Sequence, residues 1–519
     1  MDAHAENTKQ IAKNTLFLYF RMFFGMLVSL YTSRVVLNAL GVEDYGIYNV
    51  VGGFVVMFSM VSSSLSSSVS RFLTFELGKG NQDGLKNVFS TSLFIHVVLA
   101  GIVCLLAETL GLWFLNTQMT IPENRLYAAN WVFQASLITF VFGLFSVPYH
   151  ASIVAHERMT AFAYIGILDV ILRLGIVLFV AFSPFSFDRL IVYALLLVVV
   201  SVFIQMVYLN YCRSHFEECR LRMHFDRNLW RSMGVFAGWN FIGSTASLLK
   251  DQGVNLLLNL FFGPVVNAAR GISTSVNAVL SSFSGNFMTA INPQITKSYA
   301  VANYDYMFSL VERGSRFSYY ILLFLALPVL LETDFILTIW LKSYPDHTIN
   351  FVRLILMVTL CDVLSNTLIT LQLATGKLRN YQLAVGGTLL LNFPLSYICL
   401  KLNLPPEAPL VVALVISMSC LLLRLFFLKR MVGISIKGYL KNVGLNVFTV
   451  TILAAFPPFI VHLMMPESGV IRLLVVCLLS TLCAAASIYF VGCSTVERKF
   501  IRDRFNNLKL RMLHDTNQR

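Results

Sequence analysis

The chain has 519 residues, 57% of them hydrophobic and 13% charged, whereas soluble domains carry about 25% charged residues. That balance excludes a soluble globular domain and defines a polytopic membrane protein before any motif is considered. The formal net charge of +13 is no evidence for nucleic-acid binding, because most of the Lys and Arg collects in one set of short loops, the positive-inside bias of membrane proteins.

The chain opens on the polar stretch MDAHAENTKQIAKN. The apolar run after it, about 15–40, is too long for a signal-peptide core and lacks a small-residue cleavage site, so it reads as an uncleaved first span. A membrane helix needs about 20 apolar residues. Cutting at charged or turn-rich segments predicts fourteen: 15–40, 47–72, 88–115, 126–154, 160–182, 189–212, 233–261, 265–290, 317–340, 351–375, 381–400, 409–428, 445–465 and 470–492. Pro328, Pro394 and Pro457-Pro458 interrupt or border the later ones, which is tolerated where neighbouring helices satisfy the freed backbone groups.

Arg213, Arg220, Arg222, Arg227, Arg231 and the tail VERKFIRDRFNNLKLRM fall on one side of this map, and the opposite loops hold only Arg125, Arg189, Lys342 and Lys401. Both termini are therefore expected in the cytoplasm, with the basic segments 213–231 and 429–442 along the membrane surface. The nine cysteines lie mostly inside apolar runs, which argues against a disulfide framework. Cys212, His215, Cys219 and His224 are spaced more loosely than zinc ligands usually are, so no metal site is expected and no cofactor.

An internal repeat emerges at an offset of 222 residues. Gly41 meets Gly263, Ser59 meets Ser281, and Ser62 meets Ser284. LTFELGKGNQDGL (73–85) then aligns with ITKSYAVANYDYM (295–307), matching Thr74 to Thr296, Asn81 to Asn303 and Asp83 to Asp305. The offset maps span 1 on span 7. Six spans is an even number, so the two halves share one orientation and are expected to form pseudo-symmetric six-helix lobes about an axis along the membrane normal. The expected organisation is an all-α membrane protein with an N-terminal lobe (1–212), a basic linker (213–231), a C-terminal lobe (232–428), two additional helices (429–492) and a basic tail (493–519).

Polar residues inside the spans point to a transport path. At about 100° per residue, Asn240, Ser244, Ser247, Asp251, Asn255 and Asn259 fall within roughly a 120° arc of span 7. Span 8 carries Asn267, Arg270, Thr274, Asn277, Ser281 and Ser284, and span 2 the serine-rich FSMVSSSLSSSVSRF. Hydroxyl and small residues also serve helix packing, so the serines fit either packing or a wet lumen, while amides with a carboxylate favour the lumen. Span 1 holds Arg21 and Arg34 on rather different faces, so at most one of them points to a lumen centre. Arg71 lies near the end of span 2, where it could snorkel. Asp169 and Arg173, four apart in span 5, are placed to pair. Glu108 and Asp362 read as isolated carboxylates suited to an ion or proton. Asp251 either binds a coupling ion or pairs with its neighbour Lys250. An arginine in a partly dehydrated cavity suits phosphate, which its planar fork meets with paired hydrogen bonds.

Fourteen spans, the LNALGVEDYGIYNVV turn, the RFLTFELGKGNQDGLKNVF loop and the repeat at FFGPVVNAARG resemble the polysaccharide transporters. These are the O-antigen-type, lipid-linked oligosaccharide flippases of the multidrug/oligosaccharidyl-lipid/polysaccharide superfamily. The resemblance implies two lobes around a central cavity open to one side at a time. It implies a glycan on polyprenyl pyrophosphate as substrate, moved across a bacterial inner membrane, with membrane lipids and other polysaccharide-assembly proteins as partners. Cavity arginines on the first, second and eighth helices are typical of such flippases, which points to Arg21 or Arg34, Arg71 and Arg270, with Asn255, Asn259 and Asn277 offering hydrogen bonds to sugars. Asp251, Lys250 and Asp362 are the candidates for ion coupling.

Three other readings remain open. A cation-coupled drug exporter of the same superfamily would want carboxylates where span 1 offers arginines. A membrane polymerase, ligase or glycosyltransferase needs a substantial outer loop, and the longest outer connection, ETDFILTIWLKSYPDHTIN (332–350), is short; no Gly-rich phosphate loop or nucleophile elbow appears, so no enzyme is expected. A channel or scaffold would not need the repeat and the lumen charges.

Overall fold

The structure is a computed structural model, and it describes residues 2–56, 59–117, 121–182, 188–220, 226–465, 469–499 and 502. Among them every regular element is helical. The helices are α1 (Asp2–Val56), α2 (Ser59–Lys79), α3 (Gln82–Leu106), α4 (Leu112–Thr117), α5 (Leu126–Ala155), α6 (Met159–Phe182), α7 (Arg189–His215), α8 (Arg227–Phe262), α9 (Pro264–Ala300) and α10 (Tyr304–Leu331). After them come α11 (Thr333–Leu341), α12 (Thr348–Val363), α13 (Asn366–Thr375), α14 (Arg379–Leu390), α15 (Asn392–Lys401), α16 (Ala408–Val432), α17 (Ile436–Tyr439), α18 (Asn446–Met464) and α19 (Val470–Ser487). Short π-helical turns join α3 to α4 and α17 to α18.

Eleven helical segments of the described residues are long and apolar enough to cross a membrane, so this is a multi-pass membrane protein. The three expected spans outside that set are the second, seventh and eighth, which hold the serine run of α2 and the polar stripes of α8 and α9. The prolines sit inside continuous helices, at Pro148 in α5, Pro328 in α10 and Pro457-Pro458 in α18. The segment 429–442 is not a separate surface helix. Gly433, at φ +80°, ends α16, and Ser435 caps α17 through the Gly438 N–H at 3.0 Å, so the residues after it begin the next span. Part of 213–231 likewise belongs to helix ends, Arg213 to the last turn of α7 and Arg227 and Arg231 to the start of α8; residues 221–225, with Arg222 and His224, lie outside the described residues, as does the tail beyond 499 apart from Arg502.

The repeat is written into the backbone. Gly41 bends α1 at φ +82°, and Gly263 separates α8 from α9 at φ +79°, both in the left-handed region that glycine occupies without penalty. The turn after α2 and the turn after α9 match bond for bond. Gly80 N–H donates to the Leu77 carbonyl and Asn81 N–H to that of Glu76, each at 3.1 Å; their equivalents, Ala302 to Tyr299 and Asn303 to Ser298, measure 3.1 and 3.0 Å. Asn81 and Asn303 then each cap the following helix, accepting from Gly84 N–H and Tyr306 N–H. Ala302 adopts the left-handed conformation at φ +56° where the first copy has glycine. The two turns also touch: a Cβ on Gly78 would lie 3.0 Å from the Cβ of its repeat equivalent Ala300. A residue meeting its own equivalent marks a local two-fold relation.

The chain divides into two compact units. One comprises Met1–Ala246, Thr289–Met307 and Thr370–Leu383; the other Ser247–Met288, Phe308–Ile369 and Ala384–Arg519. In the first, α5 packs on α7, α1 on α6 and α2 on α5, around a core that includes Leu73, Leu85, Phe89, Tyr149 and Ile153. One end of this unit is tied by Arg125, which bonds Asp44 just past the Gly41 bend and Asp188 (2.5 Å) at the start of α7. Asp188 also caps α7 through the N–H groups of Leu190 and Ile191. Burial pushes the Asp188 carboxyl up, but Arg125 and the two N–H groups outweigh it and hold it below the usual carboxylate range. This pairing therefore stabilises the unit above that range and weakens as pH falls through it. In the second unit α18 packs on α19, and both α12 and α15 on α16.

Candidate functional site

In the first unit α1, α5, α6 and α7 line a cavity of about 520 Å³ that includes Arg21, Ser146, His150, Asp169, Arg173 and Tyr208. Arg21 enters from α1 because Gly166 on α6 makes room: a Cβ there would sit 2.7 Å from Arg21 Cδ. The guanidinium lies 4.5 Å above the Phe162 ring, a contact that holds its plane without consuming its hydrogen-bond donors. Asp169 is taken by Arg173 at 2.9 Å, the pairing their spacing predicts. Arg21 forms no ion pair among the described residues. His150 packs 4.1 Å from the Tyr208 ring, and its Nε2 is buried without a hydrogen-bond partner. The cavity thus has two arginines and one carboxylate, with imidazole and hydroxyl groups beside them. Such a set favours an anion, since a negative charge 4 Å from Arg21 gains about 4 kcal/mol at an effective dielectric near 20.

Arg71 has a local task. Its Nη2 donates to the Ala374 carbonyl at 3.1 Å, at the C-terminal end of α13, where helix carbonyls lack intrahelical partners and the dipole favours a cation. Phe72, Phe75 and Phe236 surround it with centroids 4.5, 4.8 and 5.7 Å away. Gly376 beside it holds φ +73°, which glycine occupies without penalty, and a Cβ there would fall 2.8 Å from Nη2. The serines of α2 are partly packing groups: Ser64 and Ser68 are buried, and Ser68 Oγ donates to the Met233 carbonyl at 3.1 Å.

The second unit carries the polar residues of α8 and α9. Arg270 is buried, 3% exposed, and its Nε donates to Asn255 Oδ1 at 2.9 Å. Its Nη1 is buried without a partner. Asn277 accepts from Thr359 Oγ1 at 2.7 Å, joining α9 to α12. Asp251 is exposed. Lys250 points elsewhere, buried and 3.7 Å from Asp362 on α12, so Asp362 is not the isolated carboxylate the sequence suggested, and Lys250 pairs with it rather than with Asp251. Glu108 is not isolated either, since Gln134 Nε2 donates to it at 3.2 Å. The side chains of Arg34 and Asn259 lie outside the described residues. Sequence reasoning passed over His150 and Tyr208, whose spacing from Arg21 along the chain gives no hint that they share its cavity.

A helical membrane protein with a repeated half, a part-buried arginine that no carboxylate pairs among the described residues and a cavity within its membrane helices has the features of a transporter. The sequence profile described as polysaccharide biosynthesis protein matches residues 11–311, more than half of the chain, and the protein belongs to that family. No curated protein matches it. Its fold is that of known transporters: a MATE structure in the straight conformation is 14% identical over 82% of this chain and 96% of its own, with a TM-score of 0.65. An outward-facing multidrug resistance MATE family transporter of the MOP superfamily is 14% identical, covering 81% and 95%, at a TM-score of 0.66. A MOP superfamily transporter from Pyrococcus furiosus, described as having a binding pocket of reversed polarity, is 12% identical, covering 81% and 95%, at 0.64.

Proposed function

We propose that the protein flips polyprenyl-pyrophosphate-linked oligosaccharide units across the bacterial inner membrane by alternating access, with both termini in the cytoplasm. The observation that carries this reading is Arg21, an intramembrane guanidinium with no carboxylate partner among the described residues, facing a 520 Å³ cavity. A charge so placed is costly in hydrocarbon and marks a functional path, and a pyrophosphate would meet its fork with paired, charge-assisted bonds. Membership of a polysaccharide biosynthesis family supports a glycan as the cargo. A cation-coupled exporter is the rival, and it would call for a free carboxylate where Arg173 already holds Asp169. Cells lacking the protein are expected to accumulate lipid-linked glycan in the cytoplasmic leaflet. An unchanged lipid pool together with hypersensitivity to cationic drugs would favour the exporter instead.

Orientation has its own test. Reporters fused after Gly80 and after Asn228 are expected to behave as cytoplasmic, and a periplasmic signal at either would overturn the arrangement.

In the second unit, Arg270 is proposed in its own right as a pyrophosphate-binding residue. Its buried Nη1 lacks a partner while Asn255 occupies only Nε, so a phosphate oxygen reaching Nη1 would complete its bonding. Losing a charge-assisted bond costs about 1.5–3 kcal/mol, roughly ten- to hundredfold in binding. Arg270→Ala should therefore leave lipid-linked glycan on the cytoplasmic side although the protein inserts, and Arg270→Lys should restore part of the flux. Full flipping by a normally expressed Arg270→Ala protein would remove this residue from the site.

A further inference from the structure

A second polar cavity, of 540 Å³, opens at the other end of α1 from the Gly41 bend; its lining includes Lys13, Asn14, Glu157, Arg158, Tyr164 and Tyr211. Its floor is fixed by the turn between α5 and α6. Glu157 adopts φ +58° there, an uncommon conformation for a residue with a side chain, and its backbone carbonyl accepts from Asn14 Nδ2 at 3.2 Å and Gln10 Nε2 at 3.5 Å. Its carboxylate is fully engaged, by Lys297 Nζ at 2.5 Å and Gln294 Nε2 at 2.6 Å from α9. The single carboxylate of the cavity is thus neutralised from outside it. Lys13 and Arg158 are both exposed and form no ion pair among the described residues, so the mouth carries two uncompensated cations beside the hydroxyls of Thr160, Tyr164 and Tyr211.

The surface above this mouth is apolar. One and two helical turns from Lys13, Leu16 and Phe20 are 69% and 59% exposed, on neighbouring faces of the same helix. Tyr164, 59% exposed, stands edge-on to Phe17 at 6.0 Å, an amphipathic ring of the kind that settles at headgroup depth. Cations at one level with apolar side chains directly above match a lipid that has a phosphate at its head and chains running up the helix. A soluble anion would use only the lower half.

We propose that this cavity binds the phosphate headgroup of an anionic phospholipid of the leaflet it faces, with Lys13 and Arg158 holding the phosphate and the chains lying along Leu16 and Phe20. The bound lipid would lie against the turn whose Glu157 joins α1 and α9.

The test uses the full-length protein in nanodiscs of phosphatidylcholine alone or with phosphatidylglycerol, extracted for native mass spectrometry to count retained lipid. The wild type is expected to retain phosphatidylglycerol in preference to phosphatidylcholine. A basic side chain near an anionic surface contributes enough that each substitution should lower retention about fivefold, and Lys13→Ala with Arg158→Ala together about thirtyfold. The charge-conserving pair Lys13→Arg and Arg158→Lys should retain it nearly as the wild type does, which separates charge from any loss of folding. Inorganic phosphate at millimolar concentration should not displace the lipid. The proposal is overturned by equal retention of both phospholipids in the wild type, by undiminished retention in a folded double-alanine variant, or by displacement with free phosphate. Retention of polyprenyl pyrophosphate but not phosphatidylglycerol would also overturn it, by giving the cavity to the cargo.

Discussion

Arg21→Ala is expected to reduce flipping of lipid-linked glycan roughly ten- to hundredfold per molecule while the protein reaches the membrane at its normal level. The magnitude is that of one or two charge-assisted hydrogen bonds to a phosphate. The alternative is that Arg21 serves only to pack on Phe162, 4.5 Å away. That alternative predicts reduced thermal stability with unchanged turnover. Arg21→Lys discriminates further, because the ammonium restores charge but not the planar fork; intermediate flux is expected. Flux per molecule equal to the wild type in Arg21→Ala would leave the cavity without its principal ligand. Transport is the readout, since neither variant disturbs the Asp169–Arg173 pair on the facing helix.

Glu332→Ala is expected to destabilise the protein by about 3–5 kcal/mol, the cost of leaving a buried charge without its partner. Glu332 lies between α10 and α11 with its side chain fully buried, accepting from Arg472 Nε at 3.1 Å and Nη2 at 2.9 Å and facing His462 Nδ1 at 2.8 Å. Arg472, at the start of α19, is itself only 8% exposed along its side chain. Removing the carboxylate takes two charge-assisted bonds from that buried guanidinium. The pairing Glu332→Leu with Arg472→Met should recover much of the loss, because apolar replacements of a buried ion pair are often neutral or better. Unfolding of a protein of this size is rarely reversible, so the measurement is the half-life at fixed temperature in detergent. A single alanine variant that survives as long as the wild type would contradict this account of how α10 is fastened to α18 and α19.

The residues show which parts of this could be read in advance. The membrane spans follow from runs of apolar residues, and the Asp169–Arg173 pair from i,i+4 spacing on one helix. The repeat was legible at Gly41 and Gly263 and in the capping asparagines because those positions need particular backbone chemistry. Ala302 in place of Gly80 broke the sequence identity but not the turn, since the hydrogen bonds that end the helix are made by the backbone. Contacts between distant helices were not legible. A helical wheel puts Lys250 beside Asp251 in sequence and nearly a third of a turn away in space, but it does not reveal that α12 brings Asp362 within 3.7 Å. The same limit applies to Arg270: its polar face was readable, and its burial against Asn255 depends on how α8 and α9 pack after Gly263. Glu332 looked like the beginning of an outer loop, and only the arrival of Arg472 and His462 from elsewhere in the chain makes it a buried anchor.

The most direct measurement of the central claim is transbilayer movement of a labelled polyprenyl-pyrophosphate oligosaccharide in liposomes containing only the purified protein. Movement is expected with the wild-type protein and is expected to fall roughly ten- to hundredfold with Arg21→Ala. Free pyrophosphate added outside should not abolish it, because the lipid is delivered from the leaflet. Liposomes that leave this lipid in place under every ion gradient, yet expel a lipophilic cationic dye in exchange for sodium or protons, would contradict the account and assign the cavity to drug export.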